Sequence, residues 1–127
     1  MTEKEEFITA LKNRTKKFAV DIINFCETLK TVKASSIITY QIVKSATSTG
    51  ANYRAACRAR SSNEFYSKIC IVVEEIDETE YWLEIIKNAK LTENLTELNR
   101  LLIEANELVK IMSKAKYTAS DRKNKKH

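Results

Sequence analysis

"SSNEFYSKICIVVEEIDETEYWLEIIKNA", residues 61–89, carries the pattern that decides the fold. Its apolar residues Phe65, Ile69, Val72, Ile76, Leu83 and Ile86 recur at steps of three, four or seven. That spacing lays one continuous stripe along an α-helix. Ser61 stands three residues before Glu64, the arrangement of a capping box, so the helix starts there and runs to about Ala89. A helix with one apolar stripe has to bury it against neighbours, and the rest of the chain has to supply them.

The same period extends in both directions. Upstream, a second helix is expected from about Ser35 to Ala59, with Ile38, Ile42, Ala46, Thr49, Tyr53 and Ala56 inward and no internal stop signal. Before it, Phe7, Leu11, Phe18, Ile22, Phe25 and Leu29 form the stripe of a first helix, with Thr2 and Glu5 as its capping box. Downstream, a fourth helix begins after Asn94 and carries Leu95, Leu98, Leu102, Ala105, Val109 and Met112. Short connections make neighbours antiparallel, so the expected fold is an all-α, up-down-up-down four-helix bundle over residues 1–113. Residues 114–127, ending in "SDRKNKKH", offer little that is apolar and are expected to form a basic, disordered tail.

Composition agrees. The 127 residues include one glycine and no proline, with 43% hydrophobic and 31% charged residues, so the punctuation of strands and hairpins is nearly absent. The length suits one domain. The start, "MTEKEEFITALKNR", lacks the basic and apolar regions of a signal peptide, and no apolar run approaches the roughly 18 residues that span a bilayer. A cytoplasmic protein without a membrane partner is expected. Cys26, Cys57 and Cys70 are an odd number without paired spacing, which fits reduced thiols packed as small hydrophobes.

The net charge of +5 is unevenly divided: residues 1–60 hold 11 basic and 5 acidic groups, residues 61–109 hold 4 and 11, and residues 110–127 hold 7 and 1. A basic half facing an acidic half is a means for helices to pair, and also a surface for an anionic partner. In "EEIDETEYWLE", Glu74, Asp77 and Glu78 flank the stripe and are expected to pair with bases of the first or second helix, within the chain or across a subunit boundary. Tyr81 and Trp82 beside them are packing or interface aromatics. Carboxylate metal bundles need Glu-x-x-His pairs, and the only histidine here is His127. No metal or other cofactor is expected. Without a glycine-rich phosphate loop, a base, or an activated nucleophile, catalysis is not expected either.

The stretch "SATSTGA", residues 45–51, presents almost no side-chain bulk, so another helix can approach the second closely, and Gly50 is tolerated there. Tyr53 joins it as a packing residue. Lys44, Arg54 and Arg58 fall within about 80° of each other at 100° per residue, and Arg60 is expected to point to the other side. Two readings stand: these arginines cap a helix C-terminus and pair with carboxylates, or they bind an anion.

The segments "GANYRAACRARS", "EFYSKI" and "EEIDETEYWLEII", with a looser match in "FAVDII", resemble the bacterial four-helix bundle proteins associated with intervening sequences inside large-subunit ribosomal RNA genes. The resemblance implies an antiparallel four-helix bundle assembled as a homopentameric ring. It also implies kinship with the accessory variability protein of diversity-generating retroelements, which partners a reverse transcriptase and binds nucleic acid. The expected function is non-enzymatic binding of structured RNA or DNA by basic patches repeated around a ring, with Lys12, Arg14, Lys16, Lys17, Lys44, Arg54, Arg58 and Arg60 as contacts. The alternative is a scaffold or accessory subunit for a protein partner such as a reverse transcriptase.

Overall fold

The computed structural model describes residues 1–125; Lys126 and His127, where the expected tail ends, lie outside the described residues. Four helices follow in order: α1 (Glu3–Cys26), α2 (Lys33–Cys57), α3 (Ser62–Asn88) and α4 (Leu95–Lys125). Contacts join α1 to α2, α2 to α3, α3 to α4, and less extensively α4 back to α1. No diagonal pair touches among the described residues, so the arrangement is the expected up-down-up-down bundle.

The caps start the helices where the sequence places them. Thr2 Oγ1 accepts from the Glu5 N–H at 3.1 Å, and Ser61 Oγ accepts from the Glu64 N–H at 3.1 Å. The Glu64 carboxylate reaches back one residue further than a capping box requires, accepting from the Arg60 N–H at 3.3 Å. The end of α3 is a Schellman motif: Lys90 adopts φ 55°, Leu91 N–H donates to Ile86 O at 3.0 Å, and Lys90 N–H donates to Lys87 O at 3.2 Å. Leu91 is buried, supplying the apolar contact that accompanies such a cap. Beyond it, Lys30 N–H donates to Leu91 O at 2.8 Å and the Thr28 and Thr92 hydroxyls lie 3.4 Å apart. The α1–α2 and α3–α4 connections are thereby stitched together at one end of the bundle.

The core follows the stripes, with instructive departures. Every residue of the α2 inner face is buried, as are Ile69, Val72, Ile76, Leu83 and Ile86 of α3. In α1, Leu11, Phe18, Ile22 and Phe25 are buried, whereas Phe7 is 59% exposed. In α4 the buried set is Leu98, Leu101, Ala105, Leu108 and Met112, while Leu95 is 55% exposed and Leu102 and Val109 are half-buried. Adjacent apolar pairs, Leu101–Leu102 and Leu108–Val109, let two stripes fit the same spacing, and packing chooses the one nearer α3.

Nor does α4 stop at Ser113. Its length has to match that of α3, whose first turns need a cover, and Ala115 and Ala119 continue the line from Met112 at helical spacing. Ala119 is buried, and the Tyr66 hydroxyl of α3 meets Ser120. The polar composition of residues 114–125 masked two alanines that are sufficient for close helix contact.

The small residues of α2 sit between two neighbours. A Cβ built on Gly50 would lie 3.6 Å from the backbone carbonyl and hydroxyl of Thr15 on α1, an ordinary contact distance. On the α3 side, the buried hydroxyls of Ser45 and Thr79 lie 2.7 Å apart. Thr15 and Thr49 donate to carbonyls of their own helix, and of Ser45 and Thr79 one donates across the pair while the other donates to its own helix, so these buried hydroxyls are all satisfied. Gly50→Ala should therefore be tolerated and gain up to about 1 kcal/mol of helix propensity. Gly50→Leu should cost roughly 1–3 kcal/mol, because its branches enter the Thr15 contact. Urea unfolding of both variants checks the pair, and a leucine variant as stable as the parent would refute the account.

Candidate nucleic-acid interface

The outward face of α2 runs through Ile37, Tyr40, Lys44, Thr47, Ala51, Arg54 and Arg58, all exposed at steps of three and four. Toward its C-terminal end lies an open depression of about 650 Å³ formed by Arg54, Arg58, Arg60, Lys68, Glu64 and two alanines. Four cations thus meet one carboxylate, and the Glu64 carboxylate is engaged with the Arg60 backbone. No carboxylate of the described residues forms an ion pair with any of these four cations. Arg60 joins them because α2 ends at Cys57: once the chain leaves the helix, the 100° step no longer turns its side chain away. Lys68 was not singled out from sequence. It stands one turn after Glu64 at i+4, and that register beside a capped helix start was the signal that could have found it.

The other cations have different surroundings. The Arg14 guanidinium grips Glu104 of α4 in a bidentate pair, at 2.8 Å from Nε and 2.6 Å from Nη2, and also meets Glu107 at 2.6 Å. The hydrogen bond to Glu104 leads in holding its charge, raising its pKa against a modest cost of burial. Lys17 pairs with Asp21 at 2.7 Å, and Arg100 bridges Asp21 at 2.9 Å and Glu97 at 2.6 Å. Partial burial opposes the Asp21 charge, but hydrogen bonds from Lys17 and Arg100 outweigh it and hold the carboxyl below its ordinary value. Lys12 is half-buried and Lys16 exposed on α1, away from the α2–α3 depression.

The acidic segment of α3 makes no ion pair with α1 or α2 of its own chain among the described residues, which leaves the expected pairing to a subunit boundary. Glu74, Asp77 and Glu78 are exposed, and among the described residues none is in an ion pair with α1 or α2. Arg14 of α1 finds Glu104 and Glu107 of α4 because the α1 backbone adjoins that of α4 and, among the described residues, not that of α3. Within α3 the crowding shows: burial, then the neighbouring Glu84 and Asp77, push the Glu80 carboxyl up, and its Oε2 is buried without a hydrogen-bond partner. Glu75 is raised likewise by burial and by Glu78, with Lys44 pulling the other way. Tyr81 is 52% exposed and meets the half-buried Trp82 edge-on, with ring centroids 5.1 Å apart. Tyr53 is buried, and its hydroxyl pKa is raised by that burial and by Cys57. All three cysteines are free and half-buried. Among the described residues no cluster of His, Cys, Asp or Glu could hold a metal ion. No helix in that range is long and apolar enough to cross a membrane.

Residues 9–114 match the family described as 23S rRNA-intervening sequence protein. The chain belongs to that family. Its fold is similar to a crystal structure of a protein with unknown function from the S23 ribosomal protein family of Bacteroides thetaiotaomicron VPI-5482. The two share 30% identity and a TM-score of 0.75 over 83% of this chain and 96% of the other. No curated protein matches the chain. The family match covers all of α2 and α3, hence the whole arginine depression.

The geometry divides the family member's cations into two groups, and a substitution tells them apart. Arg14→Ala should lower stability by roughly 1 kcal/mol, since it removes a bidentate pair between helices that otherwise touch little. It should leave any affinity for polyanions unchanged. A variant as stable as the parent but weaker in polyanion binding would reverse this assignment.

Proposed function

We propose that this protein is a non-enzymatic, cytoplasmic RNA-binding member of the intervening-sequence family that grips the phosphate backbone through the α2–α3 depression. The observation that carries the reading is the convergence of Arg54, Arg58, Arg60 and Lys68, exposed or half-buried and outside any ion pair among the described residues. Lys44 extends the charge along the same face of α2. Arginine forks suit phosphate oxygens, and such contacts hold structured RNA or DNA without reading bases. Lys12, Lys16 and Lys17 add a weaker field from α1.

One depression of this size binds weakly, so the proposal includes a homopentameric ring that repeats it and multiplies avidity. The apolar part of the α2 face, Ile37 and Tyr40, together with Tyr81 of α3, supports contact with another protein surface. The same belt supports a second reading, in which the protein is an accessory scaffold for a partner such as a reverse transcriptase.

The test is anisotropy of a labelled RNA hairpin across a salt series, with scattering mass measured on the same samples. Arg54→Ala with Arg58→Ala should weaken binding alike for unrelated sequences and flatten the slope of log affinity against log salt by about one unit per lost phosphate contact. The mass should remain that of a ring. Unchanged affinity in an intact assembly would sink the RNA reading, and a mass of one or two subunits would sink the ring. Truncation at Lys114 is not an equivalent control for the basic end, since it removes the alanines that pack α4 against α3.

A further inference from the structure

Opposite the stitched end, where α1 begins and α4 ends, the bundle encloses a second and larger space. A cavity of about 880 Å³ opens among all four helices. That is within the range of sites that hold a small organic molecule. Its wall is apolar, with Phe7 and Leu11 from α1, Phe65 from α3, and Ile111, Ala115 and Ala119 from α4. Phe7 is 59% exposed although it sits on the α1 stripe, so the apolar line of α1 continues into this space without a protein neighbour to cover it. Four cations also line the cavity: Lys4, Arg60, Lys114 and Arg122, all exposed. Among the described residues no aspartate or glutamate does.

An apolar pocket whose charged lining is entirely cationic sorts its occupants. A nucleic-acid strand satisfies the cations and leaves the apolar wall in water. A neutral lipid covers the wall and leaves the cations without a counter-charge. A molecule with a long hydrocarbon tail and a single anionic head satisfies both, burying methylenes against the phenylalanines and alanines and setting its charge among the exposed bases. We propose that this cavity binds a long-chain aliphatic carboxylate, tail inward and carboxylate among Lys4, Arg60, Lys114 and Arg122. The site is separate from the face of α2 that carries Arg54 and Arg58, and Arg60 alone lines both.

The experiment titrates the full chain with cis-parinarate, a fluorescent 18-carbon carboxylate, and displaces it with palmitate or with palmitate methyl ester. The expected result is saturable binding of one probe per chain, displaced by palmitate at least tenfold more effectively than by the ester. Lys114→Glu with Arg122→Glu should weaken palmitate at least tenfold and leave the ester unchanged. Ala115→Phe should fill the cavity and abolish both, and the surface charge pair keeps the test decisive should that variant not fold. Arg54→Ala with Arg58→Ala should bind the probe like the parent. Several outcomes overturn the proposal: no saturable binding by the parent, equal displacement by acid and ester, or indifference to charge reversal. Binding only to phosphatidylglycerol vesicles, with none to monomeric palmitate, overturns it too.

Discussion

The closeness of α1 to α2 at Thr15 and Gly50 is the constraint on which the remaining geometry depends. Among the described residues the backbone of α1 lies close to that of α2, only narrowly to that of α4 and not to that of α3, so its position is set chiefly by how near it can lie to α2. The small residue at position 50 sets that limit, since a Cβ there would already be in van der Waals contact, 3.6 Å from the Thr15 backbone, and a branched side chain would not fit. Once α1 is seated, Arg14, adjacent to Thr15, is carried into reach of Glu104 and Glu107, and Asp21, about two turns on, comes into reach of Arg100. The ion pairs along the α1–α4 seam are thus a consequence of packing on the other side of α1. Surface pairs of this kind contribute little each, and their geometric role is to fill a seam where few apolar side chains meet.

Charge does two kinds of work in this bundle, and burial separates them. Along α1 and α4, carboxylates held below or bases held above their ordinary pKa values are those with a partner across the seam or one turn away. The cations at the end of α2 have no such partner among the described residues, and the acidic residues of α3 crowd one another, with Glu75 and Glu80 pushed up by burial and like charge. Unbalanced positive charge at one place and unbalanced negative charge at another make a strongly polarised bundle. That polarity suits attraction to a polyanion at one face and to a basic surface, including that of a second copy, at the other.

Much of this was legible in the chain. The α3 stripe is pinned at Ile76, which stands between Glu75 and Asp77, and Ser61 and Ala89 bound it. In α4 the doublets Leu101–Leu102 and Leu108–Val109 admit two registers, and only contact with α3 decides between them. The end of α4 was hidden for a related reason: Ala115 and Ala119 are too small to stand out among lysines, although small residues are what close packing against Tyr66 requires. The arginine depression was half legible. Arg54 and Arg58 follow from helical spacing, but Arg60 depends on the residue at which α2 ends, and Lys68 belongs to a segment whose summed charge is negative. The pairing of Arg14 with α4 rather than with the more acidic α3 is a matter of which helices adjoin, which spacing within one helix does not encode.

The stitched connections have a mechanical consequence for the whole molecule. With Lys30 bonded to Leu91 and Thr28 beside Thr92, the turns at one end tie α1 to α2 and α3 to α4 at a common knot, while no connection joins α1 to α4 at the other. Residues 58–61 join α2 to α3 at that far end, so only α1 and α4 behave as prongs: a small change of angle at the knot becomes a larger displacement at their tips, along arms of about 40 Å at 1.5 Å per residue. Breathing of the bundle therefore concentrates at the end remote from the knot, and any body lodged between the tips there acts as a wedge that sets their spread. Arg60 belongs to the α2–α3 connection at that same end, so the spacing of the exposed cations is held by the turn while the tips of α1 and α4 move beside it.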